Sequence, residues 1–172
     1  MDALILPGNS KANQSWAEQL AATIKSDFQA VIVHPYLHWQ TDEAVMDLVA
    51  ESRNLSEKFN IKLPYTLFAK SAGVLLGLYS TRKKLISAPS SAVFMGTPLE
   101  WADKQGWRYS NWFAPSFKCL FIHNRDDPVT PAQTVKGYLS KSAVSNYKLI
   151  IQPGRTHAYD DFVALKEYLT RA

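Results

Sequence analysis

Six short apolar runs punctuate the chain, and most stretches between them carry apolar residues at helical spacing. Ala3-Leu4-Ile5-Leu6 stops at Pro7-Gly8, and Ala30-Val31-Ile32-Val33 stops near Pro35. Tyr65–Ala69, Ala92–Met95, Cys119–Ile122 and Tyr147–Ile151 follow, with Gly96 closing the fourth run and Pro153-Gly154 the sixth. Five of the six are nearly all apolar, the pattern of strands buried on both faces.

The intervening segments predict helices. Ser15-Trp16-Ala17-Glu18 has capping-box spacing, with Trp16, Leu20 and Ile24 following on one face. Thr41 is placed to cap a second helix whose apolar face carries Val45, Leu48, Val49 and Leu55. Ser71–Tyr79 is small and apolar, and Gly73 and Gly77 allow close approach to a sheet. Thr130-Pro131 reads as a cap followed by proline at the first helical position. Phe162, Leu165 and Leu169 line a last helix. Strand and helix in alternation predict a parallel sheet covered on both sides, a three-layer αβα sandwich.

One connection differs. The stretch at about 97–116 holds Trp101, Trp107, Tyr109, Trp112 and Phe113 and shows little periodicity. It reads as an aromatic-rich insertion at the carboxyl end of the sheet, where ligands bind in open parallel sheets. Trp101, Trp107 and Trp112 are therefore candidates for a substrate pocket, against the simpler reading of a surface loop pinned by aromatic packing.

Composition narrows the classes. At 172 residues the chain makes one full core, so residues 1–172 form one domain. A hydrophobic share of 47% with 20% charged residues excludes a disordered or fibrous protein. The net charge of +4 raises a nucleic-acid partner, but the basic residues are scattered, and the densest group, Arg82-Lys83-Lys84, reads as a solvated helix end. No nucleic-acid partner is expected. No apolar run has the length of a membrane span, and Asp2 precedes the first run with no basic residue, unlike a signal peptide. A cytosolic location is expected. The single cysteine, Cys119, permits no internal disulfide and no cysteine metal cluster, and it reads as core.

The sharpest chemical signal is Phe68-Ala69-Lys70-Ser71-Ala72-Gly73, a serine directly between a buried strand and a helix. That is the context of a nucleophile elbow, in which a sharp turn demands small residues two before and two after the serine, here Ala69 and Gly73. A serine that only caps the helix is the competing reading. A serine hydroxyl needs a base. Of the four histidines, His157 follows the last strand in Pro153-Gly154-Arg155-Thr156-His157, at the same sheet edge as Ser71. His34 and His38 can line the site, although Pro35 and Trp39 suggest a packed loop, and His123 reads as buried at the end of the fifth strand. A base needs an orienting carboxylate, and Asp126 and Asp127 both stand after that strand, where Asp before Pro also starts turns. The order Ser71, Asp126 or Asp127, His157 is that of α/β-hydrolases. Oxyanion donors would be the N–H of Ala72 and one from Pro7-Gly8-Asn9-Ser10, Asn9 first with Ser10 as the alternative.

Together these residues resemble the α/β-hydrolase superfamily over nearly the whole chain, from Leu4-Ile5-Leu6-Pro7-Gly8-Asn9 to Gly154-Arg155-Thr156-His157. The small size and the Leu-Pro-Gly-Asn opening are similar to compact serine hydrolases of the retinoblastoma-binding protein nine type. The resemblance implies a minimal six-stranded parallel core of order 2-1-3-4-5-6, lacking the two N-terminal strands of larger members. It implies Ser71 as nucleophile, His157 as base and Asp127 as acid, because family members often set the acid in the pattern Asp127-Pro128-Val129-Thr130-Pro131. Activity on a small ester, thioester or amide is implied, with Ser10 and the tryptophans beside the acyl substrate, no metal or organic cofactor, and a monomer or homodimer. Two positions depart from the family: Ala69 replaces the first elbow glycine, and Lys70 is unusual before the nucleophile, either holding an anion or pointing to solvent.

Two other functions compete. A member of this fold without catalysis would bind a ligand or protein, although such a protein would more often have lost one of the three residues. A flavodoxin-like reductase would cradle a flavin phosphate on Gly8–Ser15, but that fold has five strands and leaves Ser71, Asp127 and His157 without a role.

Overall fold

Alternation along each central strand sorts the core into two halves. In β1 (Asp2–Leu6), Ala3 and Ile5 enter one half and Leu4 and Leu6 the other. The same division runs through β3 (Tyr65–Lys70), β4 (Ser91–Met95) and β5 (Lys118–Asn124). The structure, a computed structural model, describes residues 1–41 and 43–170, with backbone only for 167–170. All pairings are parallel, in the order β2-β1-β3-β4-β5-β6, with β2 (Val31–Val33) and β6 (Tyr147–Gln152) at the edges. This is the sheet that the resemblance implied. The edge position of β6 accounts for its mixed sequence, because its residues are only partly buried and Lys148 is exposed there.

Helices α1 (Asn13–Ile24) and α6 (Phe162–Thr170) cover one face, where Trp16, Leu20, Ile24 and Leu165 join the strand residues. The other face takes α2 (Leu48–Lys58), α3 (Ala72–Arg82), α4 (Leu99–Lys104) and α5 (Ala132–Lys141). Leu169 lies outside the residues whose side chains are described. Among the described residues no helix is long and apolar enough to cross a membrane. Cys119 is buried, and burial pushes its thiol up to about 12.

Local chemistry moved three helix starts. Asn13 and Gln14 donate to the Ser10 and Lys11 carbonyls, so a turn begun at Ser10 launches α1 and leaves Ser15 inside the helix rather than at its cap. Asp47, not Thr41, caps α2, its carboxylate accepting from the Val49 and Ala50 amides at 2.8 and 3.0 Å. Val45 therefore precedes the helix, and Val49 is exposed. Pro131 occupies the cap of α5, one residue later than expected, because the Thr130 hydroxyl accepts from the Glu100 amide at 3.0 Å instead. The aromatic insertion is more regular than its sequence indicated: it forms α4 and a single 3-10 turn at Tyr109–Asn111. Trp112 and Phe113 close it onto the core, Trp112 edge-on to Tyr79 and Phe113 against Phe121 and Tyr138.

Candidate active site

Ser71 directly follows β3 with φ 52° and ψ −125°, a conformation that serine rarely adopts. Its side chain makes no capping hydrogen bond to α3, so the helix-cap reading fails and the hydroxyl is left for other work. Two contacts hold the turn. The Ser71 amide donates to the Met95 carbonyl at 2.8 Å. Gly73 lies so close to β1 that a Cβ there would stand 2.2 Å from the Leu6 carbonyl oxygen and 2.5 Å from that of Pro7. The need for a small residue two past the serine therefore comes from the end of β1 rather than from Ala69. The same contact sets the Pro7–Ser10 loop directly beside the start of α3.

Asp127 and His157 meet as expected. His157 Nδ1 donates to Asp127 Oδ2 at 2.8 Å and Oδ1 at 3.0 Å. The carboxylate is fully buried and also accepts from the Val129 amide at 2.8 Å. Burial alone raises its pKa, but the bonds from His157 and Tyr159, the His157 charge and the Val129 amide outweigh that and hold it below the ordinary range. Asp126 is exposed and pairs with Arg155 at 3.7 Å, so it is Asp127 and not Asp126 that meets His157. His157 Nε2 is buried and has no hydrogen-bond partner among the described residues. The ring rests against Gly96, the residue after Met95, where a Cβ would come within 2.9 Å of His157 Cε1. Ser71 and His157 thus touch consecutive residues of one strand end.

Tyr159 is the residue that the sequence did not reveal. Its hydroxyl donates to Asp127 Oδ2 at 2.6 Å and accepts from the Asn124 amide at 2.9 Å. Its ring stands edge-on to His157, and burial raises its pKa far enough to keep the phenol protonated. A tyrosine two residues beyond a histidine carries no signal by itself, since its partner lies 32 positions away. His123 is buried, as read, and binds the Thr130 carbonyl at 2.6 Å, with burial lowering its pKa.

The Gly73 contact holds Leu6 and Pro7, which lead into the loop carrying Asn9, against the start of α3, where Ala72 stands. Asn9 is half-buried, with its side chain donating to the Ala44 carbonyl at 2.7 Å and accepting from the Met46 amide at 2.9 Å. Ser10 is exposed and its carbonyl starts α1. The tryptophans are further out. Trp101 packs edge-on to Trp107. Trp107 and Trp112 line a cleft of about 500 Å³ with Met46 and Tyr79, and this cleft does not include Ser71 in its walls.

Lys70 does neither thing proposed for it. Alternation along β3 turns it to the α1 side, where it is 6% exposed, donates to Asn13 Oδ1 at 2.8 Å and sits 5.2 Å over the Trp16 ring. Burial lowers its pKa from 10.5 to about 8, although Asp160 and Asp127 pull the other way. Between about pH 8 and 10.5 the unfolded chain holds a proton that the folded protein has released, so stability rises with pH in that window. At pH 7 the buried charge costs on the order of 3 kcal/mol. Lys70→Met is expected to raise stability at pH 7 by about 1–3 kcal/mol, with the gain fading by about pH 10. Thermal melts at both pH values check this; an equal loss at both would show that the bond to Asn13 outweighs the desolvation.

No protein-family model and no curated protein sequence matches the chain. Solved structures do match. Mouse alpha/beta hydrolase domain-containing protein 10 aligns with a TM-score of 0.75 and 12% identity, over 99% of this chain and 90% of its own. An alpha-beta serine hydrolase homologue from Coxiella burnetii gives 0.74 and 14% over 99% and 84%. A Xanthomonas campestris protein described as an α/β serine hydrolase without lid gives 0.71 and 15% over 99% and 79%. With the parallel sheet of order 2-1-3-4-5-6 and the strained serine turn between β3 and α3, these likenesses establish that the chain has the α/β-hydrolase fold, in a compact form.

Proposed function

We propose that this protein is a serine hydrolase acting on a small acyl substrate through an ester, thioester or amide bond. One observation carries the reading: a histidine held by a fully buried carboxylate through Nδ1, with its other nitrogen unbonded, at the same end of β4 as a serine in a strained elbow. Ser71 Oγ attacks the acyl carbon and its proton passes to His157 Nε2. Asp127 keeps the Nδ1 proton in place and stabilises the charged ring. The Ala72 and Asn9 amides receive the oxyanion. His157 then gives the proton to the leaving group, and a water that it activates releases the acid. Ser10, Trp101, Trp107 and Trp112 are proposed to line the seat of the acyl or leaving group. A small molecule as substrate, a cytosolic location, no nucleic-acid partner, and a monomer or homodimer fit this reading.

Labelling with a fluorophosphonate probe, read by intact mass, tests it. Such probes react with serines activated by a base. The wild type is expected to gain one adduct and Ser71→Ala none. A folded wild type without an adduct would favour a non-catalytic binding protein of this fold.

A further inference from the structure

Behind the loop that carries Asn9 lies a second carboxylate–histidine pair, unused by the chemistry above. Glu51, on α2, is 1% exposed and His38 is 5% exposed. His38 Nδ1 lies 3.2 Å from Glu51 Oε1, which also accepts the His38 backbone N–H at 3.2 Å. Burial raises the Glu51 pKa, but His34 at 3.8 Å and the bonds from His38 overcome that and hold it below its ordinary value, so the group is a carboxylate. Nε2 faces a second acceptor, the Asn9 carbonyl, at 2.7 Å, so the two ring bonds form together only when both nitrogens carry a proton. Trp39 Nε1 donates to the same carbonyl at 2.8 Å.

The partners of the loop converge on one peptide. The Tyr36 hydroxyl donates to the Pro7 carbonyl, and its ring packs against both His38 and Trp39. The Asn9 side chain is fixed from both ends by Ala44 and Met46. The Gly8–Asn9 peptide, which bears the Asn9 N–H, is therefore anchored at the carbonyl before it and the carbonyl after it. Gly8 itself supplies little rigidity, so the direction of that N–H depends on its neighbours. Buried hydrogen bonds aimed at a single backbone carbonyl are a means of fixing orientation, the way outer partners fix a ligand or base.

We propose that the buried Glu51–His38 pair, with Trp39, is a positioning device that clamps the Asn9 carbonyl and so aims the Asn9 N–H at the oxyanion. This inference rests on the hydrolase reading. It assigns His38, Trp39 and Glu51 no contact with substrate. Their effect falls on transition-state stabilisation rather than on substrate binding.

The test compares the wild type with Trp39→Phe, His38→Ala and His38→Gln on an activated ester, with a boronic acid as a tetrahedral mimic. Trp39→Phe keeps the packing against Tyr36 and removes only the donor. His38→Gln keeps an N–H that can reach Asn9. Misplacing a donor by about 1 Å costs up to about 100-fold. The expected result is a kcat lowered about 10- to 100-fold in Trp39→Phe and His38→Ala, with KM within about threefold. Affinity for the boronic acid should fall in step with kcat, and His38→Gln should recover most of both. Folded variants with wild-type kcat would overturn the clamp while leaving the hydrolase standing. So would losses in kcat that follow melting temperature and are not rescued by glutamine. A wild type without esterase activity or probe labelling would overturn the hydrolase reading, and the clamp with it.

Discussion

Asp127→Asn is expected to lower kcat by about 10⁴-fold while leaving the protein folded. The reasoning lies in which atoms can donate. The asparagine oxygen can keep the Val129 amide, now 2.8 Å from Oδ1. Its NH₂ then takes the place of Oδ2, facing His157 Nδ1 at 2.8 Å and the Tyr159 hydroxyl at 2.6 Å. An amide nitrogen donates, so Nδ1 must accept, and the ring proton moves to Nε2. That nitrogen can no longer take the proton of Ser71. The rate of fluorophosphonate labelling checks this, and labelling within tenfold of wild type would remove Asp127 from the acid's role. Stability carries a second signature. Because the Asp127 carboxyl is held low in the folded state, its contribution is present above about pH 4 and is lost as pH falls through the folded value. The gap between wild type and Asp127→Asn should therefore close in acid.

Gly73→Ala is expected to cost about 3 kcal/mol or more, and with it most of the activity. The added methyl would meet backbone oxygens at 2.2 and 2.5 Å, and no rotamer change relieves a clash with backbone. Either α3 lifts from β1 or the Pro7–Ser10 loop moves. Either would part the Ala72 and Asn9 amides proposed as oxyanion donors, and loss of one such donor lowers kcat by about 10²- to 10³-fold. A fall in melting temperature of about 6–12 °C is expected for a chain of this size. An unchanged melt with unchanged labelling would mean that the elbow and the loop are not in contact in solution.

The placing of Ser71, Asp127 and His157 after β3, β5 and β6 was legible because each follows an apolar run that a turn or helix start ends, so local pattern alone put them on one sheet edge. The two-sided burial of β1, β3, β4 and β5 was legible for the same reason. Tyr159, His38 and Glu51 were not, because what each does depends on a partner far along the chain: Asp127 for Tyr159 and Asn9 for His38. Lys70 misled because a lysine beside an elbow suggests solvent or an anion, whereas the parity of β3 sends it inward onto Trp16. Helix starts slipped by up to several residues because Asp47 and the Ser10 turn outbid the neighbouring Thr41 and Ser15 for the free amides.

The acid and base loops are stitched together apart from the triad itself. Asn124 Nδ2 holds the Thr156 carbonyl at 2.8 Å, the Asp126 amide holds that of Gly154 at 2.9 Å, and Tyr159 bridges to Asp127. Trp16 of α1 then pins the Tyr159 carbonyl at 2.8 Å. The nucleophile belongs to another block, the β1–β3–α3 centre, and reaches this one chiefly through the end of β4. Because these bonds tie the two loops independently of the Asp127–His157 bond, a displacement of the β5–β6 edge would carry aspartate and histidine together. In the proposed mechanism, the distance that such a displacement would change is the one between His157 and Ser71, the pair across which the proton passes.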